Sequence, residues 1–161
     1  LFIHDSHISE QDAAELGAKL RPMEEIMACC DVVSLHHADL PENRHMIHGG
    51  NLGLLKPGAT FINTARGSLV DEEALARRLE RGDITAILDV TDPEPPAADS
   101  PLYRLSNCIL TPHIAGAAGS EVERFGEFVI REVENWLAGR PLENPVDLDA
   151  VAEPDHSGTK A

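Results

Sequence analysis

Residues 88–116 read LDVTDPEPPAADSPLYRLSNCILTPHIAG, and this stretch decides the fold. It opens on the end of an apolar run, 86–88, that stops at Asp89. A polar, proline-rich excursion carrying Glu94 follows, and a second apolar run, 108–110, then delivers Thr111, Pro112 and His113. Each run has the length and character of a buried strand. An acid and an imidazole thus stand just past the carboxyl ends of two strands, with a second carboxylate on the loop between them. In an open α/β sheet, ligands bind at that edge. A histidine held there by a carboxylate is a proton-transfer pair.

Working outward, the same alternation of strand and helix recurs. Residues 59–63 (ATFIN) and 31–35 (DVVSL) read as strands, 1–4 as a strand ending on Asp5, and 19–20 as a short one. Ser9 with Asp12 has the form of a capping box opening a helix. Pro22, at a first helical position, opens a second helix through Met27. Residues 36–45 read as a polar loop and 49–55 as a short helix. Asp71 caps a helix with Glu72 and Glu73 in its first turn, Arg77, Arg78 and Arg81 towards its end, and Gly82 past it. Ser120 with Glu123 predicts another capping box, opening a helix with Val122, Phe125, Val129, Val133 and Trp136 at helical spacing and a stop at Gly139. The pattern predicts a parallel sheet covered on both faces. We expect residues 1–139 to form this domain and 140–161 a C-terminal extension, mobile beyond about 147.

The chain of 161 residues is long enough for one real core. Its net charge of −15 offers no basic patch for a nucleic acid. No apolar run reaches the roughly 20 residues of a membrane span. Cys29 and Cys30 are adjacent and Cys108 sits in an apolar run, which is no disulfide framework and fits a reducing, cytoplasmic setting. The chain starts at Leu1 inside an apolar run, as the later part of a longer polypeptide would.

Several residues are candidates for chemistry. Asp5, ending the first strand, is placed to accept hydrogen bonds from an adenosine ribose and to repel a 2′-phosphate, favouring NAD over NADP; no arginine follows it closely in sequence. Taken alone, a turn-forming aspartate explains it better. The glycine-rich turn that should precede such an acid lies outside this sequence. Arg66, just past residues 59–63, has the planar fork that holds a carboxylate; its plainer reading is a surface arginine pairing with Asp71 or Glu72. His113 can give a proton to a developing alkoxide, and a carboxylate such as Glu94 orients the ring, although a structural histidine after Pro112 is an equal alternative. His36, His37, His45 and His48 lack the partners of a metal site and read as a solvated loop.

CDVVSLH (30–36), LLKPGATFINTARGSLVDEEAL (54–75), LDVTDPEP (88–95) and LTPHIAG (110–116) together resemble the D-isomer-specific 2-hydroxyacid dehydrogenases, in order and with compatible spacing over about residues 1–145. The resemblance implies a Rossmann-type doubly wound parallel sheet, incomplete here because the first βα unit and the N-terminal substrate domain of the family are absent. It implies NAD as cofactor and a small 2-keto or 2-hydroxy acid as substrate. It makes Arg66 the binder of the substrate carboxylate, His113 the acid/base and Glu94 its partner. Asp5 would contact the ribose and Asp89 the nicotinamide carboxamide, while Thr64, Ala65, Arg66, His113, Ala115 and Gly116 line the cofactor. A homodimer through this domain is usual in the family. The chain departs from relatives at Ala38-Asp39-Leu40 and at Val90-Thr91-Asp92. A non-catalytic NAD(H)-sensing module, like the corepressors of this fold, is the alternative. Formate dehydrogenases are disfavoured because they carry Gln at the position of Glu94.

Overall fold

The computed structural model describes residues 1–147; the extension expected to be mobile beyond that point lies outside the described residues. Among the described residues, six strands and five helices alternate. Strand β1 (Phe2–Ile3) pairs in parallel with β2 (Lys19–Leu20), the two joined by α1 (Glu10–Glu15). Helix α2 (Met23–Cys29) leads to a four-stranded parallel sheet in the order β3 (Val32–Leu35), β4 (Thr60–Asn63), β5 (Thr85–Leu88), β6 (Cys108–Leu110). Helix α3 (Gly49–Leu52) lies between β3 and β4, and α4 (Glu72–Leu79) between β4 and β5. Residues 36–45, read as a plain loop, hold a 3₁₀ turn at Pro41–Asn43.

The order of the four-stranded sheet follows the order of the sequence, so each strand's carboxyl end lies beside its neighbours' at one rim. Asn63 is aligned with Leu88, and Leu88 with Leu110. Whatever follows these residues is therefore delivered to a common edge.

The sheet is held by an apolar core. On β4 and β5 the buried positions alternate: Phe61 and Asn63, then Ala86 and Leu88. Helix α4 buries Ala74, Leu75 and Leu79 against them, together with Met27, Leu52, Leu55, Leu69 and Leu102. Each fully buried leucine contributes about 1.5–3 kcal/mol from apolar surface removed from water. Asp71 caps α4 by accepting from the Ala74 amide at 2.9 Å, worth about 1 kcal/mol. Arg78, only 5% exposed, directs its guanidinium to the carbonyls of Leu52 and Leu55 and to Asp83. That tie closes the α3 end of the core, and removing Asp83 would leave the buried guanidinium uncompensated.

Ser9 and Asp12 form the expected capping box at α1. The last helix corrects the reading of its cap. Helix α5 (Ser120–Leu137) is entered through Gly119, which adopts φ 59°, so Ser120 is already inside the helix and caps nothing. Glycine takes this left-handed conformation without a Cβ penalty, and a serine side chain one residue later is no longer aimed at the free amides.

Residues Leu1–Gly116 form one compact unit and Ala117 onward a second, so the division falls earlier than the expected residue 139. The buried core cluster runs from Met27 to Leu102, with partly buried neighbours as far as Leu110. Within the second unit, the Glu132 carboxylate accepts from the amides of Glu143 and Asn144 at 3.0 and 2.8 Å, folding the return segment onto α5. No helix among the described residues is long and apolar enough to cross a membrane.

Candidate active site at the rim of the sheet

Three loops leave the aligned ends of β4, β5 and β6, and each carries one of the residues singled out in the sequence. Arg66 comes three positions after Asn63, Asp89 one after Leu88, and His113 three after Leu110. The parallel register thus brings them to one rim rather than scattering them over two ends of the sheet.

The central contact is direct. His113 Nδ1 lies 2.7 Å from Glu94 Oε1, with each side chain a little over 40% exposed. The carboxylate holds the proton on Nδ1 and leaves Nε2 available to exchange a proton. His113 has φ 52°, a left-handed backbone uncommon for a residue other than glycine. Such a conformation persists where its surroundings over-determine it.

Those surroundings are supplied by Asp89, 4% exposed at the end of β5. Its backbone carbonyl accepts from the His113 amide at 3.0 Å. Its carboxylate accepts from the Ile114 and Ala115 amides at 2.9 and 2.8 Å and from the Thr111 hydroxyl. Burial pushes this carboxyl up, but the bonds from Thr111, Ala115 and Ile114 and the nearby His113 charge outweigh it, so it sits below its ordinary 3.8. The structure therefore commits the Asp89 carboxylate chiefly to the backbone around His113, a role the sequence reading did not give it. Thr111 was missed as well; a hydroxyl one residue past an apolar strand carries no signal until its partner is known.

On the neighbouring loop, Asn63 is 1% exposed and does for Arg66 what Asp89 does for His113. Its Oδ1 accepts from the Ala65 amide at 3.0 Å and its Nδ2 donates to the Arg66 carbonyl at 2.9 Å. An Asx turn of this kind was legible in NTARG as an asparagine directly after a strand. Thr64 and Ala65 are half-buried in this turn, while Arg66 is exposed. The Arg66 guanidinium donates to the Ala65 carbonyl at 2.6 Å and, among the described residues, pairs with neither Asp71 nor Glu72.

Gly67 locks the two loops together. A Cβ there would lie 2.0 Å from the Thr91 carbonyl carbon and 2.5 Å from the Asp92 nitrogen, both backbone atoms, so only glycine permits the approach. From the other side, Glu72 in the first turn of α4 accepts from the Asp92 amide at 2.6 Å. Burial raises the Glu72 carboxyl, and the Asp92 amide partly offsets that. Thr91 donates to the Pro93 carbonyl at 2.9 Å, shaping the segment that presents Glu94.

Asp5 stands apart from this cluster, after β1. It lines an open cleft of about 420 Å³ with His4, Leu20, Arg21 and Pro22. Its carboxylate is exposed and accepts from the His7 amide at 2.7 Å. The parallel β1–β2 pairing brings Arg21 into the same cleft, so an arginine stands near Asp5 after all; sequence distance concealed it. Its guanidinium is engaged by Glu25 at 2.9 Å, by the Leu20 carbonyl at 2.9 Å and by the face of Phe2. His37 lies near, its ring centroid 5.8 Å from that of His4, and burial followed by the His4 charge lowers its pKa.

No cluster of three or more metal-ligating side chains exists among the described residues. The donors present suit an organic cofactor instead. An exposed carboxylate with one oxygen engaged by His7 leaves the other for a ribose diol, and the half-buried turn at 64–65, together with the exposed 113–116 segment, fits a flat ring laid on the rim.

An acid after the first strand of a parallel pair, and a carboxylate–imidazole pair at the rim of a four-stranded parallel sheet, are the features of a dinucleotide-binding α/β domain. The chain belongs to the D-isomer specific 2-hydroxyacid dehydrogenase family, whose NAD binding domain model matches residues 1–115. It is 33% identical over 156 residues to the D-3-phosphoglycerate dehydrogenase of Archaeoglobus fulgidus, covering 96% of this chain and 30% of that protein. It is 38% identical over 149 residues to the glyoxylate reductase of Korarchaeum cryptofilum, covering 92% of this chain and 44% of that protein. The crystal structure of the TT0316 protein from Thermus thermophilus superposes with a TM-score of 0.79 at 39% identity, covering 91% of this chain and 45% of that one. The chain spans less than half the length of these relatives.

Proposed function

We propose that the protein carrying this chain is an NAD-dependent oxidoreductase that interconverts a small 2-keto acid and the corresponding D-2-hydroxy acid. The observation that carries this reading is the 2.7 Å Glu94–His113 pair, on loops that leave the same sheet rim as the one bearing Arg66. NAD, when bound, supplies the hydride donor or acceptor. The Arg66 guanidinium leaves the Ala65 carbonyl to hold the substrate carboxylate in two parallel bonds. His113 Nε2 gives its proton to the keto oxygen as alkoxide character develops, and Glu94 stabilises and orients the imidazolium. Asp5 accepts from the adenosine ribose, and Thr64, Ala65, Ala115 and Gly116 border the cofactor. Asp89 supports the 113–115 backbone and keeps a lone pair for the carboxamide. A reducing, cytoplasmic setting is supported by three free cysteines, and a homodimer by the exposed apolar side chains of α5.

The test uses the full-length protein. It should oxidise NADH with at least one of glyoxylate, hydroxypyruvate or pyruvate. His113→Ala should lower kcat by about 10²–10⁴-fold with NADH binding retained, and Arg66→Ala should act mainly through KM for the keto acid. NADH binding without turnover on any keto acid would instead leave a cofactor-sensing module, and normal kinetics in both variants would remove the role assignments.

A further inference from the structure

Cys29 and Cys30 have no place in the site just described. Cys29 is the last residue of α2 and Cys30 is its C-cap, where the backbone turns extended at φ −82° and ψ 147°. Neighbouring side chains within a helix diverge, as do neighbours along a strand. The change of conformation between these two residues cancels that divergence, and their Sγ atoms come to 4.0 Å. Cys29 is exposed and Cys30 half-buried.

Two thiols this close have two ways to be joined. A direct disulfide usually spans Cα atoms about 4.4–6.8 Å apart, whereas a trans peptide fixes adjacent ones about 3.8 Å apart, so a bond between these two is strained and easily reduced. A bridging atom removes the conflict: sulfurs bound at about 2.3 Å to one pyramidal centre sit roughly 3.5 Å from each other. The observed 4.0 Å is within a small side-chain rotation of that value. Among the described residues no third ligand completes a metal cluster. A centre suited to this pair is one satisfied by two sulfurs.

The geometry points to Cys29 and Cys30 as a dithiol site for a trivalent, monosubstituted arsenical or an equally thiophilic centre. The reaction is a condensation: an organoarsenic oxide, R–As=O, takes both thiols, two As–S bonds replace the As–O bond, and the two S–H protons leave with the oxygen as water. Nothing is oxidised or reduced. Burial, then the neighbouring Cys29, raises the Cys30 pKa, so that thiol keeps its proton. This slows simple alkylation, which needs a thiolate, but a condensation that releases water tolerates it. Lys56 braces the site, donating to the Cys29 carbonyl at 2.9 Å and pairing with Asp31 at 2.7 Å.

Phenylarsine oxide is the probe, added to the reduced full-length protein and followed by intact mass and thiol titration. One equivalent should add the mass of the reagent less one water and remove two titratable thiols. Cys29→Ser and Cys30→Ser, each checked for retained cofactor binding, should weaken capture by about 100-fold or more, because the second thiol acts at an intramolecular effective concentration. Cys108→Ser should change nothing. Undiminished capture in both single variants, or loss of capture only with Cys108→Ser, would overturn the assignment.

Discussion

The rim at β4–β6 and the cleft after β1 are built on opposite plans. At the rim, the polar groups that matter are buried and saturated: Asp89 is 4% exposed with three donors on its carboxylate, and Asn63 is 1% exposed with both ends of its amide used. Both are all but hidden from solvent, yet each fixes the loop carrying an exposed residue, His113 or Arg66. At the cleft, Asp5 is itself exposed and, among the described residues, is held only by His7, through its amide at 2.7 Å and its ring Nδ1 at 3.5 Å. The difference teaches where rigidity is needed. Under the proposed function, proton transfer requires a histidine held in one orientation, which the rim's buried hydrogen bonds and left-handed backbone supply. The ribose contact proposed for Asp5 needs only an accessible carboxylate oxygen, which solvent exposure provides.

The sharpest way to break this contrast is Gly67→Ala. The new methyl would collide with backbone at Thr91 and Asp92, which cannot rotate away as a side chain could. Overpacking of this kind costs about 3 kcal/mol, and the forced separation moves the Glu94 segment away from Arg66. Thermal unfolding and keto-acid turnover should therefore both fall, turnover severely. Unchanged melting and kcat would mean the two loops are not locked.

Next comes Asp89→Asn, nearly the same shape without the charge. One of its two ends must present N–H groups to N–H donors, so at least one amide at 114–115 loses its acceptor, at about 1–3 kcal/mol. Because the loss falls on the backbone next to His113, kcat should drop by about tenfold or more while NADH affinity changes less. A large loss of NADH affinity at preserved kcat would instead make the carboxamide contact the main role of Asp89.

How much of this was legible beforehand follows the same divide. The strands were, because DVVSL, ATFIN and CIL are β-branched or apolar runs with clear stops, and so were the Ser9 and Asp71 caps, whose signals are local. Arg66 and His113 stood out as charged or titratable groups just past apolar strands, and Glu94 as a carboxylate on the loop between two of them. What stayed hidden depends on pairing across the fold. Thr111 is defined by Asp89, Arg21 by β1–β2 register, and Gly67 by a loop more than twenty residues away. The error at Ser120 is of another kind: Ser-x-x-Glu fits a capping box, but Gly119 with φ 59° starts the helix one residue earlier.

The rim also predicts a pH response. With its folded pKa below 3.8, Asp89 contributes stability in full above that value and loses it as pH falls through the lowered one. At the other extreme, burial raises the Cys108 thiol on β6 to about 11 from 9.0. The folded state then holds a proton the unfolded chain has released, so stability declines as pH rises from 9 towards 11. Denaturant midpoints across pH should show that alkaline decline, and Cys108→Ala should flatten it. An identical alkaline limb in the variant would place its origin elsewhere.

The smallest effect is expected at the cleft. Asp5→Ser removes one exposed carboxylate that no buried group depends on, so melting should not move. What should change is cofactor choice. With the carboxylate gone, repulsion of a 2′-phosphate is relieved, while Arg21 stays tied to Glu25 and the Leu20 carbonyl rather than turning to meet it. NADH binding should weaken by several-fold for loss of the ribose bonds, about 1 kcal/mol, and NADPH should gain only modestly. An inversion to strong NADPH preference would show that Arg21 leaves its partners once Asp5 is removed. A flat result for both cofactors would reduce Asp5 to the turn-forming aspartate that its bond to His7 already satisfies.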